Sequence, residues 1–140
     1  MPSPNKGRFA VNGKRLLLDT NAIVQLLAGN PEVGEWVRGA DFLATSVICE
    51  FEFLSFPRLS EGDAALYAAF AGRVRTFPVP SGDPDFTRRV VAFRNAAGKK
   101  LKMPDAIVAA TAAANGCAVL TADDHFRGVP GLDAVFFQPI

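Results

Sequence analysis

Apolar and polar positions alternate along this chain in blocks, and the blocks have two different periods. Arg15-Leu16-Leu17-Leu18-Asp19 is a short continuous apolar run, the pattern of a parallel strand covered on both faces. A helix follows, capped by Thr20 or Asn21, running to about residue 28 and ended by Gly29-Asn30. Pro31 opens a second short helix to about residue 38. Residues 42–45 read as a second strand, and Thr45 or Ser46 caps a helix to about residue 56, stopped by Pro57. Ser60-Glu61-Gly62-Asp63 is close to a capping box and opens a helix to about residue 73. Residues 74–79 form a third strand, placed at an edge or strand end by Pro78. A helix over residues 84–97 leads into a basic loop, 98–103, and Pro104 opens a helix that Gly116 ends after Asn115. Residues 117–121 and 134–138 complete the strands. Strands alternating with helices predict a three-layer α/β/α domain around a central, mostly parallel five-stranded sheet.

Composition narrows the class. With 140 residues, 49% hydrophobic and 21% charged, the chain has the content of one folded domain and not of a disordered segment. Residues 15–140 read as that domain, with residues 1–14 as an N-terminal extension. Two cysteines make no disulfide framework and suit a reducing compartment. The start of the chain lacks an apolar signal core, and the longest apolar stretch, residues 106–114, is broken by Thr111 and too short to span a bilayer. The expectation is cytoplasmic. A net charge of +1 argues against a strongly basic nucleic-acid binder, but not against an enzyme that meets phosphate through metal ions.

The chemistry lies in the acids. Asp19 ends the first strand, and Asp123 follows the fourth by way of Thr121 and Ala122. In parallel α/β sheets ligands bind beyond the carboxyl ends of strands, so both carboxylates face one crevice if the two strands are neighbours. Each also suits a helix cap. Asp105 opens an apolar helix, where the helix dipole favours it by about 0.3–1 kcal/mol. In Val47-Ile48-Cys49-Glu50-Phe51-Glu52-Phe53-Leu54, the two glutamates lie about 200° apart on a helix, so both cannot face one point. Val47, Phe51 and Leu54 read as the core face, with one glutamate on each side, and periodicity leaves the choice between them open. Converging carboxylates would raise one another's pKa unless a hard divalent cation such as Mg2+ or Mn2+ met them. Such ions also suit phosphodiester hydrolysis. The single histidine, His125, with only Cys49 and Cys117 as soft partners, does not make a zinc site.

Four segments together resemble the PIN domain, and more narrowly the VapC-type toxin ribonucleases of bacterial toxin–antitoxin pairs. They are Leu16-Leu17-Leu18-Asp19-Thr20-Asn21, Ser46-Val47-Ile48 with Glu52 six residues after Ser46, Pro104-Asp105-Ala106-Ile107-Val108-Ala109-Ala110-Thr111-Ala112, and Val119-Leu120-Thr121-Ala122-Asp123-Asp124-His125-Phe126. The resemblance implies an acidic quartet of Asp19, Glu52, Asp105 and Asp123 that holds Mg2+ or Mn2+, with Asn21 and Thr121 as supporting polar residues. It implies metal-dependent RNA hydrolysis, a cognate antitoxin and a homodimer. The alternative is an inactive PIN-like domain that binds RNA or protein. A receiver-type phospho-acceptor module does not fit, because only Asp19 follows the first strand and no second or third strand ends in Asp.

Arg88, Arg89, Arg94, Lys99, Lys100 and Lys102 fall in a span without an acid that leads to Asp105. Arg94, Lys99, Lys100 and Lys102 are the candidates for RNA contact. Phe51, Phe53 and Phe56 read as core or a dimer surface rather than as a platform for bases.

Overall fold

Leu16, Leu17 and Leu18 have no exposed surface and run through the middle of the molecule. A strand with no solvent side has no polar alternation, which is why the sequence shows an unbroken apolar run. The computed structural model describes residues 14–96, 98 and 100–140. The proposed extension, residues 1–14, falls outside the described residues except for Lys14.

The elements in chain order are β1 (Arg15–Leu18), α1 (Thr20–Leu27), α2 (Pro31–Gly39), β2 (Phe42–Ser46), α3 (Val47–Leu54), α4 (Glu61–Ala71), β3 (Arg75–Phe77), α5 (Pro84–Arg94), α6 (Met103–Ala114), β4 (Ala118–Thr121), a short 3-10 turn (Asp124–Phe126) and β5 (Ala134–Phe136). The sheet order is β3-β2-β1-β4-β5, and every pairing is parallel. The expected five-stranded sheet is present, with β3 at an edge as Pro78 implied. Leu17 lies opposite Ala44 on one side and Val119 on the other, so β1 carries the register of the whole sheet.

Local side-chain bonds hold the turns. Asn30 accepts from the amides of Glu32 and Val33 at the start of α2. Ser60 and Asp63 exchange reciprocal bonds at the start of α4, a full capping box. Gly116 follows α6 with φ of 65°, a left-handed conformation in which glycine avoids the Cβ clash of other residues.

Four local expectations are corrected. The N-cap of α1 is Asp19, whose carboxylate accepts from the Thr20 amide, rather than Thr20 or Asn21. Arg15 is in β1 but exposed; its guanidinium lies 4.1 Å from the Phe42 ring centre and donates to the Asn115 carbonyl. The α5 helix stops at Arg94, where the Asn95 amide nitrogen of the side chain bonds the Val91 carbonyl; the expected end at Ala97 lies outside the described residues. The face of α3 is also different. Cys49 and Phe53 are buried, whereas Phe51 is 59% and Leu54 42% exposed. This helix is apolar on nearly every side, so its rotation is fixed by its exit from β2 and by Phe53 stacking on Tyr67 (ring centres 5.2 Å apart). Its last turn tightens, with Ser55 and Phe56 amides bonding the carbonyls three residues back, and the helix ends at Leu54 rather than near Phe56.

The α6 helix buries Ala106, Val108, Ala109, Ala110, Thr111 and Ala112 against α5, α3 and β4. Its small residues permit close approach, so its alanine content has a packing role. No helix among the described residues is long and apolar enough to cross a membrane. Because Ala109 has no exposed surface, Ala109→Leu should overpack this layer. Urea unfolding is expected to show a loss of about 1–3 kcal/mol, whereas unchanged stability would show that α6 can move off the sheet freely.

Candidate functional site

The β1 and β4 strands are neighbours and parallel, so their carboxyl ends open on the same side. The Asp19 amide extends the ladder by one bond, donating to the Leu120 carbonyl at 3.1 Å. That fixes the Asp19 backbone at the strand end. Asp123 leaves β4 at the same edge. Glu52 arrives on α3, which follows β1's other neighbour, and Asp105 sits in the first turn of α6. All four line one cleft of about 620 Å3, together with Thr20, Asn21, Gln25, Phe56 and Ala122 among others.

Asp19 is 5% exposed. Its Oδ1 accepts from the Thr20 amide at 2.9 Å and lies 3.7 Å from the Cys49 sulfur, which donates weakly. Its Oδ2 accepts from the Thr121 hydroxyl at 3.0 Å and from Asn21 Nδ2 at 3.3 Å. Asn21 Oδ1 in turn accepts from the Ala122 amide at 2.9 Å, tying the start of α1 to the loop after β4. Thr121 spends its proton on Asp19 and accepts from the Asp123 amide at 3.0 Å. Asn21 and Thr121 thus lie between Asp19 and the loop that carries Asp123, bonded to both.

Every donor to Asp19 is neutral, and among the described residues no cationic side chain pairs with it. Burial pushes its pKa up to about 6; the bonds from Thr20 and Thr121 oppose the rise, and the charges of Asp105 and Glu52 add to it. Asp105 is also raised, first by burial and then by Asp123 and Glu52, with His125 and Lys102 acting in the opposite direction.

The two glutamates left open by periodicity are separated by their partners. Glu52 Oε1 accepts from the Thr20 hydroxyl at 2.5 Å and faces the cleft. Glu50 accepts from the Tyr67 hydroxyl at 3.2 Å and turns toward α4. Asp124, adjacent to Asp123, pairs with Arg127 at 3.2 Å. Asp123 accepts from the His125 amide, so it caps the 3-10 turn while lining the cleft.

The donors fall into two groups, each with one ligand atom per residue and all within 4.8 Å of one another. One is Asp19, Cys49 and Glu52; the other is Asp105, Asp123 and His125. Burial, followed by the charge of Asp19, pushes the Cys49 thiol up to about 12, so it stays protonated and serves as a donor to the carboxylate. What remains is an oxygen-rich set of mutually repelling carboxylates around a buried, unpaired one. This fits a hard divalent cation, which would neutralise the repulsion that raises Asp19 and Asp105. Thr20, Cys49 and His125 were not singled out as site residues by sequence reasoning. The available signals were the Asp-Thr-Asn turn and a histidine two positions after Asp123.

The basic span is less uniform than its sequence implies. Arg88 pairs with Asp85, which lies just before the acid-free span. Arg94 donates to the Leu101 carbonyl at 3.1 Å and fastens the loop to the end of α5. Lys99 lies outside the described residues. Lys100 and Lys102 are exposed, and Lys102 immediately precedes α6, where its charge reaches Asp105.

The raised pKa of Asp19 makes stability without metal depend on pH. Below about pH 4 the residue is protonated in the folded and unfolded chain alike. Between about pH 4 and 6 the folded chain keeps a proton that the unfolded chain has lost, so stability falls as pH rises. By pH 7 the loss is about 3 kcal/mol. In EDTA, Asp19→Asn is expected to melt above the original protein at pH 7.5 and to match it near pH 4; Mn2+ should raise the melting point of the original protein far more than that of the variant. A variant less stable at pH 7.5 without metal would contradict the electrostatic account.

Comparison with known proteins follows the same geometry. The chain matches the PIN domain family model over residues 16–132. No functionally curated sequence matches it. A toxin–antitoxin complex from Klebsiella pneumoniae contains a chain of similar structure, with a TM-score of 0.71 and 27% identity over 89% of this chain and 99% of that one. VapBC2 from Rickettsia felis, solved bound to a DNA fragment from its promoter, aligns with a TM-score of 0.71 and 18% identity over 88% and 98% of the two chains. VapBC-5 from Mycobacterium tuberculosis aligns with a TM-score of 0.61 and 24% identity over 91% and 99%. With the family match spanning β1 through the loop after β4, and with a fold shared by VapBC complexes, the chain belongs to the PIN domain family.

Proposed function

We propose that this chain is a ribonuclease, the toxin of a toxin–antitoxin pair, and that it hydrolyses RNA phosphodiester bonds at the four-carboxylate cleft with Mg2+ or Mn2+. The observation that carries this reading is Asp19: a buried carboxylate without a cationic partner among the described residues, facing Glu52, Asp105 and Asp123 across one open cleft. Asp19, Asp105 and Asp123 would hold the ion. When bound, Mg2+ or Mn2+ supplies Lewis acidity toward phosphate and makes a water nucleophilic near neutral pH.

The chain's own residues do the positioning. Thr121 and Asn21 hold Asp19 by its Oδ2 and fix the loop that carries Asp123. The Thr20 hydroxyl holds Glu52 at the cleft, where the other oxygen of Glu52 would complete the shell of a bound ion or orient a water. Lys102, whose charge reaches Asp105, and the exposed Lys100 two residues before it would draw the phosphate backbone toward the cleft. Arg94 already holds the Leu101 carbonyl, so it is a structural residue first and an RNA contact second.

The antitoxin is supported by the toxin–antitoxin complex of the Klebsiella neighbour. Phe51, Leu54 and Phe56 leave a large apolar side of α3 and its following loop exposed, which supports a covered surface of the kind a homodimer or an antitoxin provides. An RNA substrate puts the site of action in the cytoplasm, and two buried free cysteines suit that compartment.

The test is RNA cleavage under metal titration, with tRNA and rRNA pools as substrates. Cleavage should appear with Mg2+ or Mn2+, vanish in EDTA and fall by roughly a hundredfold or more in Asp19→Asn. Metal binding without cleavage would instead favour an inactive PIN-like binding domain, and equal rates for the variant would reveal a contaminating nuclease. For the basic approach, Lys100→Glu combined with Lys102→Glu should weaken RNA binding and lower the slope of log affinity against log salt by up to about 2. An unchanged slope would remove these lysines from the RNA path.

A further inference from the structure

The two donor groups at the cleft, each with two lining carboxylates and one residue beside them, differ in chemistry. Asp19 and Glu52 offer oxygen, beside a Cys49 thiol that donates to Asp19. Asp105 and Asp123 share their group with an imidazole. His125 is held beside Asp123 twice over. Its backbone amide donates to Asp123 Oδ1 at 2.9 Å, and its ring Nδ1 lies 3.2 Å from the same oxygen. The turn that carries it is anchored by Phe126, which is 1% exposed. The backbone position of His125 is thus fixed by packing, while its ring is mostly exposed and makes no other recorded polar contact among the described residues. A histidine with one ring nitrogen on a carboxylate has the other available for a metal.

We propose that His125 is a nitrogen ligand at the Asp105–Asp123 side of the cleft and that it gives this chain a preference for Mn2+ over Mg2+. The inference rests on the reading that the cleft binds a divalent cation. Carboxylates suit Mg2+ and Mn2+ alike. Magnesium takes oxygen ligands and gives up water reluctantly, whereas Mn2+, although it also favours oxygen, is a first-row transition ion that accepts a nitrogen ligand more readily. Two carboxylates with one imidazole therefore discriminate in favour of Mn2+. His125 is the single histidine of the chain, so an imidazole nitrogen on the metal has one source.

The experiment is pulsed electron paramagnetic resonance on untagged full-length protein loaded with Mn2+, alongside calorimetric titration with Mn2+ and, separately, Mg2+. The original protein should show coupling from a directly bound 14N, and His125→Ala and His125→Asn should lose it. Both variants should bind Mn2+ at least about tenfold more weakly, with a clearly smaller change for Mg2+. Circular dichroism and melting curves should stay unchanged, since the ring is exposed. Mn2+ binding without nitrogen coupling would overturn the proposal, as would equal weakening toward both metals, which is the mark of a purely structural role through Asp123. Coupling without RNA cleavage would refute the ribonuclease and leave His125 as a ligand. Cleavage without coupling would do the reverse, and absence of Mn2+ binding would end both.

Discussion

The rest of the site depends on keeping one carboxylate buried at the end of a strand with no solvent face. Asp19 cannot withdraw: its amide belongs to the β1–β4 ladder, and the three residues before it are completely buried. Its side chain is consequently held against the sheet end, where burial disfavours charge. The surrounding polar residues are arranged as an incomplete answer to that constraint. Thr20, Asn21 and Thr121 supply neutral hydrogen bonds, but no described cationic side chain supplies the missing charge, and the nearby acids make the deficit larger.

The same constraint changes the meaning of a net charge of +1. A near-neutral sum suggests little attraction to a polyanion, yet charge here is separated in space. Carboxylates meet at the strand ends, and Lys102 stands at the entrance to α6 with its charge felt by Asp105. A divalent ion would offset much of the cleft's negative charge without altering the protein's composition. Electrostatic arguments from totals fail when charges of one sign are gathered by the topology.

Much of this was legible in the chain because a parallel sheet writes its ends into the sequence. Apolar runs ending in Asp19 and Thr121, the capping box at Ser60, and Gly116 after α6 are local signals with local causes. The α3 helix shows where such reading stops. With Ile48, Phe51, Phe53 and Leu54 distributed around it, the apolar pattern does not specify a rotation, and the expected core face was wrong. Resemblance chose Glu52, whereas the residue-by-residue reading could not; the physical reason is the pair of tertiary bonds from Thr20 to Glu52 and from Tyr67 to Glu50. The basic span shows the same limit. Arg88 and Arg94 have partners at Asp85 and Leu101 that a list of charges does not reveal.

Capping and catalysis looked like competing explanations for these aspartates, but the structure makes them compatible and their magnitudes separate them. Asp19 accepts from the Thr20 amide at the head of α1, and Asp123 accepts from the His125 amide at its turn. An N-cap contributes typically about 1 kcal/mol. A carboxylate moved from 3.8 to about 6 reflects roughly 3 kcal/mol against its charged form, even after that cap bond is counted among the opposing influences. Capping alone therefore does not account for an aspartate at this depth, since serine or asparagine would cap without the electrostatic cost. What only aspartate provides is a fixed negative charge with its orientation set by amides and hydroxyls. That is the property a cation site uses, and the cap bonds are the means by which the fold aims it.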